Sequence, residues 1–172
     1  GAFTLPKGAP FEGDGAGTDW AMRTFGAVFV EVAVDPGLGL LRLRRVVGAY
    51  SVGRVINPRT ARSQMTGGLI WGWGKATMEQ TPAEPTHGRW LAKNLSNLCV
   101  PVNADIPSDI DVFFVEETDP QASLIGARGI GELAATGVDA AVAAAVHDAV
   151  GLRLRRVPML PQDVVQGLAG VG

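Results

Sequence analysis

Apolar and polar positions divide the chain into short segments of different period. Ala27 to Val34 is dense in β-branched and aromatic residues (Val28, Phe29, Val30, Val32, Val34) with little polar alternation, which predicts a mostly buried strand. Asp35-Pro-Gly-Leu-Gly39 has turn chemistry. Leu40 to Tyr50 sets Leu41, Leu43 and Val46 on one face and Arg42 and Arg44 on the other, so the pair predicts a β-hairpin. Asn57-Pro58 then offers an N-cap followed by an N1 proline, and a helix is expected from there to about Met78. Gly67, Gly68, Gly72 and Gly74 lie inside that helix and each costs about 1 kcal/mol against Ala, which implies a very close neighbour. Trp71 and Trp73 fall on different sides of it, so it is expected to be enclosed by protein.

Residues 81–109, with Pro82, Pro85, Pro101 and Pro107, are loop-like, and Asp109 to Glu117 is a third strand. Val138 to Val150 is a helix whose stripe is Val138, Val142, Val146 and Val150, closed by Gly151. Leu152 to Val157 is expected as a last strand and Pro161 to Leu168 as a terminal helix. Residues 1–24, whose first 19 are rich in Gly and Pro without periodicity, are an extended arm that needs another surface; residues 25–172 are one domain. The class is α+β, an antiparallel or mixed sheet packed with helices.

Composition narrows the function more than the fold. With 172 residues, 47% hydrophobic and 19% charged, the chain is long and apolar enough for one real core. A net charge of −2 gives no electrostatic case for nucleic acid. Arg42-Leu-Arg44-Arg45 and Arg153-Leu-Arg155-Arg156 alternate with leucine, as the wet side of a strand edge does. Cys99 is the single cysteine, so no intrachain disulfide or cysteine-based cluster can form, and a buried thiol is expected. There is no signal-peptide pattern and no apolar run of about 18 residues, so no membrane span is expected. The first residue is Gly and not Met, as in a processed or excised piece or in a chain freed of a tag.

Twenty-three glycines are not spread evenly, and the most informative cluster is Gly126-Ala-Arg-Gly-Ile-Gly-Glu132. Glycines let a backbone turn sharply and approach a ligand. Free amides in such a turn, ahead of a helix, suit an anion. Glu132 at its edge is a candidate general base beside a phosphate-bearing cofactor. The plainer alternative is a carboxylate answering a helix dipole, worth about 0.3–1 kcal/mol.

Other chemistry is weaker. His87 and His147 have no partner at metal-ligand spacing and are expected at the surface. Trp71, Trp73 and Trp90 are expected in core or interface, and Glu116, Glu117 and Asp119 in a solvated strand end. Ser51 lacks a nucleophile elbow, and Gly129-x-Gly131 lacks a surrounding βαβ unit.

Three segments in order resemble the molybdenum-binding subunits of the xanthine dehydrogenase and aldehyde oxidoreductase family. They are Val52-Gly-Arg-Val-Ile-Asn-Pro58, then Ser63-Gln-Met-Thr-Gly-Gly68 with Trp71-Gly-Trp-Gly74, then Arg128-Gly-Ile-Gly-Glu132. Asn103-Ala-Asp-Ile-Pro107 and the run Leu154 to Pro161 are similar to that family's C-terminal end. The likeness leans to bacterial aldehyde oxidoreductases and implies the second molybdopterin-binding half-domain. It also implies that Glu132 is the proton acceptor when a carbonyl or imine-type carbon is hydroxylated. Cofactor contacts carry over to Arg54, Val55, Ile56, Asn57, Pro58, Arg59, Thr60 and Gln64, and to Arg128, Gly129, Ile130 and Gly131. The implied cofactor is molybdopterin in its cytosine dinucleotide form with Mo. Iron–sulfur (2Fe-2S) and FAD groups would reside on partner subunits, and the substrate would be a small aldehyde or N-heterocycle.

Glu132-Leu stands where many members of the family have Glu-Pro. Family subunits are several times longer, so the remainder of the molybdenum-binding subunit is itself an implied partner. The contrasting expectation is a non-catalytic fragment that folds and self-associates as a homo-oligomer without cofactor. Cytoplasm and periplasm both fit the sequence.

Overall fold

The computed structural model describes residues 23–170, so the arm expected over 1–24 falls almost wholly outside the described residues. Strands β1 (Phe25–Asp35) and β2 (Leu40–Ser51) form the expected hairpin, and β3 (Asp109–Phe114) adds to the other side of β2. β1 pairs antiparallel and β2–β3 parallel, giving a mixed three-stranded sheet in the order β1-β2-β3. Helices α1 (Pro58–Thr77), α2 (Val138–Val150) and α3 (Pro161–Ala169) complete an α+β domain, with short 3-10 turns at Leu95–Asn97, Asn103–Asp105 and Leu133–Ala135.

The hairpin turn is an Asp turn: Asp35 Oδ1 accepts from the amides of Gly37 (2.9 Å) and Leu38 (3.0 Å). The register slips between Glu31, opposite Arg45, and Val32, opposite Leu43, so Arg44 is a bulge. That extra residue explains how Leu43 and Val46, three apart, both point into the core. Tyr50 lies beneath two glycines of the hairpin: a Cβ on Gly26 would stand 2.6 Å from its ring. Its hydroxyl is buried with no hydrogen-bond partner among the described residues, and burial pushes the phenol up to about 12.

The core lies on one face of the sheet. Leu43, Val46, Tyr50 and Val112 meet Met65, Leu69, Trp73 and Ala76 of α1 and Val138, Val142 and Val146 of α2. The α2 stripe is therefore as expected, and Gly151 closes the helix at φ +73° while its amide donates to His147 O. On the other sheet face Phe25, Phe29 and Phe113 are 62%, 66% and 56% exposed. β1 is thus an exposed edge strand and not the buried strand its composition predicts: its β-branched residues serve one covered face only.

Four further expectations change. Trp73 is buried, but Trp71 is half exposed and Gly67 faces open space, so α1 is covered on one side and not enclosed. Residues 152–157 form no strand. Leu152 is buried and Arg153 exposed because Leu152 packs on Gly167 of α3, an alternation produced by a helix and not by a sheet. Cys99 is exposed. The stretch Leu133–Val150 is apolar enough in composition to cross a membrane. However, it breaks at Gly137 (φ +88°), and α2 has only 13 residues, about 20 Å against the ~30 Å needed.

Candidate functional site

The end of β2 and the glycine-rich segment run side by side. Arg54 N donates to Gly126 O (2.7 Å), Arg128 N donates to Val52 O (3.0 Å), and Gly53 and Ala127 form an antiparallel bridge. Gly53 is buried at φ +68°, and a side chain there would run into the Gly126 carbonyl, so only glycine fits. Chain segments 67 residues apart are joined again nearly two turns into α1, where Gln64 Nε2 donates to Gly131 O at 2.8 Å. The next residues lie on the small-residue face of α1. A Cβ on Gly68 would stand 2.7 Å from Ala134, and one on Gly72 would stand 2.6 Å from Val138. These contacts are the close neighbours the helix glycines imply; Gly74 similarly faces Glu79 and Pro101, and Gly67 alone has none.

Asn57 caps α1 as expected: its Oδ1 accepts from Arg59 N (3.0 Å) and Thr60 N (3.3 Å). Arg54, Ile56, Asn57, Pro58, Arg59, Thr60 and Gln64 are exposed and Val55 is half-buried. Ile130 packs against the core and pins the turn, while Gly129 and Gly131 on either side are exposed, with no atom among the described residues near the place a Cβ would take. The amides of Gly129, Ile130 and Gly131 donate to no group among the described residues. Glu132 is exposed and precedes a 3-10 turn; α2 begins only at Val138. The helix-dipole role for Glu132 therefore loses its helix. Bare, unhindered amides beside an exposed carboxylate and a side-chain amide fit a large anionic cofactor dense in hydrogen-bonding groups.

Arg128 is placed differently from its neighbours. Its side chain is only 9% exposed and faces away from solvent into two carboxylates. Nη1 donates to Glu117 Oε1 (3.1 Å) and to Ser51 Oγ (2.9 Å) and O (3.4 Å), and Nε donates to Asp119 Oδ2 (3.1 Å), which Nη2 also pairs. Glu117 Oε1 further accepts from Gly53 N (2.7 Å) and Ser51 Oγ (2.8 Å). The Gly53 amide, then Ser51 and Arg128, hold the Glu117 carboxyl below its ordinary range, and Arg128 does so first for Asp119.

Glu117 and Asp119 do not form the solvated strand end that the sequence suggests; they anchor the glycine segment. β3 ends at Phe114, and the extended chain beyond it turns both acids toward Arg128. The one signal in the sequence is their spacing, since residues two apart in extended chain share a face.

Concave surface gathers around Arg54. One cleft of about 440 Å³ is lined by Gly53, Arg54, Val55, Phe114 and Glu117 among others. A second of about 510 Å³ runs from Arg54 and Thr118 to Leu124, Ile125 and Gly126. Neither includes Glu132, which stands on open surface. His87 pairs with Glu84 (2.9 Å) at the surface, and no metal-binding group of three or more His, Cys, Asp or Glu exists among the described residues.

The family model for the molybdopterin cofactor-binding domain matches residues 4–107. The aldehyde oxidoreductase molybdenum-binding subunit PaoC of Escherichia coli K12 is 39% identical over 153 residues, 89% of this chain and 21% of that subunit. A probable xanthine dehydrogenase subunit of Bacillus subtilis is 32% identical over 147 residues, 86% of this chain and 19% of that protein. Among solved structures, the aldehyde oxidoreductase of Desulfovibrio gigas superimposes with a TM-score of 0.76 at 28% identity, over 85% of this chain and 15% of that one. The chain thus spans about a fifth of the length of the curated relatives it matches.

Proposed function

The chain belongs to the molybdopterin cofactor-binding domain family, and on that premise we propose that it supplies one wall of the active site of a molybdenum hydroxylase. The substrate class is an aldehyde, oxidised to a carboxylic acid, or an N-heterocycle, hydroxylated with water as the oxygen source. The observation that carries the proposal is the meeting of three distant segments: Gly53–Arg54 on Gly126–Ala127, and Gln64 on Gly131, with Glu132 exposed beside them.

Molybdopterin, in the cytosine dinucleotide form, would be held by the open amides of Gly129, Ile130 and Gly131 and by Gln64. Residues Arg54 to Thr60 would add to that hold, Arg54 and Arg59 offering charge to a pyrophosphate. When bound, that group supplies the two-electron oxidation. Glu132 accepts a proton at a carboxylate oxygen as the substrate carbon is hydroxylated. Arg128 through Gly131 fix where that carboxylate stands. The remainder of a molybdenum-binding subunit would close the site, and iron–sulfur and FAD subunits would carry electrons away.

A second reading is a module that folds and self-associates without cofactor; the exposed Phe25, Phe29 and Phe113 and the open surface at Glu132 favour it. Co-expression with the rest of the subunit separates the two through molybdenum content and aldehyde oxidation. In a loaded complex, Glu132→Gln is expected to lower turnover by at least ~10²-fold. Near-normal turnover with full metal would overturn the role given to Glu132. Stoichiometric pterin and molybdenum on the chain by itself would overturn the second reading.

A further inference from the structure

We propose that Arg128, Glu117 and Asp119 form a positioning clamp that sets the Gly129–Glu132 turn, with Arg128 acting from behind the turn and not as a ligand of the cofactor. Its catalytic consequence rests on the function proposed above; the clamp itself is a property of this chain. Arg128 is the residue immediately before the open turn and four before Glu132. Its backbone amide is fixed on Val52, and its guanidinium is held at three points: Ser51 at the end of β2, Glu117, and Asp119. Glu117 extends the clamp to the amide of Gly53. One side-chain cluster thus ties together the end of β2, the extended chain after β3 and the glycine turn.

Charge argues the same way. One guanidinium already faces two carboxylates at 25% and 18% side-chain exposure. An anionic ligand would have to displace them or lie against them, and like charge disfavours both. Among the described residues the turn's amides and the exposed Arg54 carry no such competitor. The planar fork of Arg128 serves both acids at once, which a lysine ammonium can only partly copy.

The test has two arms. In the 172-residue chain, amide exchange is followed residue by residue in Arg128→Gln, Glu117→Gln and Arg128→Lys. The two Gln variants are expected to speed exchange at the amides of Arg54 and Arg128 by about tenfold or more, leaving Val142 and Val146 in α2 unchanged, with Arg128→Lys recovering part of the protection. In the completed subunit the same Gln variants are expected to lower kcat by about tenfold to 10²-fold, with KM and molybdenum content little changed, because a misplaced base costs rate and not binding.

Unchanged exchange in both Gln variants would overturn the clamp. So would loss of pterin from Arg128→Gln with the Arg54 and Arg128 amides still protected, since that is how a ligand behaves. If the wild-type subunit oxidises neither aldehydes nor N-heterocycles, the functional reading fails, and the exchange arm still decides the clamp.

Discussion

Gln64 donates its side-chain amide to the carbonyl of Gly131, 2.8 Å away, and so fastens the first turns of α1 to the residue just before Glu132. Asn57 fixes where α1 begins, and its cap sets the direction in which Gln64 projects. The exposed glutamine is therefore part of the geometry that presents Glu132.

Replacing Gln64 tests that role. Gln64→Ala removes one neutral, solvent-accessible hydrogen bond, so the loss of global stability should not exceed about 0.5–1.5 kcal/mol. Gln64→Glu places a second acceptor against the Gly131 carbonyl and should loosen the turn more than Ala does. The measurement is exchange protection at the Ala135 and Thr136 amides, which donate to Glu132 O and Leu133 O, alongside a chemical melt. Equal effects of Ala and Glu would mean that the bond does not set the turn.

The glycines of α1 make opposite predictions. At Gly72 a methyl would stand 2.6 Å from Val138, so Gly72→Ala should force α1 and α2 apart and cost about 1–3 kcal/mol. Gly67 faces open space, and Gly67→Ala should stabilise by about 0.5–1 kcal/mol through helix propensity. Thermal melts of the two variants decide it; a destabilised Gly67→Ala would show that its face is covered.

Much of the fold was legible because local signals and tertiary packing agree. The Asn57-Pro58 start of α1, the valine stripe of α2 and its Gly151 cap depend on neighbours within one or two turns. The exposure of β1 was not legible, because β-branched composition reports that a strand exists and not how many of its faces are covered. The alternation at 152–157 misled for a related reason: Leu152 is buried by Gly167, a partner the local pattern does not contain. At the site, the glycine turn and Glu132 could be read from spacing. Glu117 and Asp119 could not, since their partner Arg128 lies 11 and 9 residues on and the pairing depends on where β3 stops.

The bare face of the sheet predicts association. Phe29 lies opposite Val47, and Phe113 is paired with Ala49, which is in turn opposite Ala27, so these apolar residues share one surface. The chain by itself is expected to self-associate as concentration rises, and Phe29→Lys with Phe113→Lys to return it to monomer without loss of helix content. Sedimentation velocity reads the difference. A wild-type chain that stays monomeric at high concentration would show that this face needs no cover.

Acid should open the clamp before it unfolds the core. Both Glu117 and Asp119 titrate below the ordinary carboxylate range when folded, through Gly53, Ser51 and Arg128 for the first and through Arg128 and Gln121 for the second. A depressed carboxylate contributes stability that is fully present above its unfolded value, about 4, and is lost as pH falls through the folded value. Protection at the Arg54 and Arg128 amides should therefore hold from neutral pH to about 4 and decline below it. Glu84 is depressed as well, by its own bonds to Thr86, so the whole-chain melt responds to more than the clamp. Site-resolved protection separates the two. Glu117→Gln should lower protection near neutral pH and flatten its acid dependence, and an unaltered acid profile in that variant would remove Glu117 from the clamp.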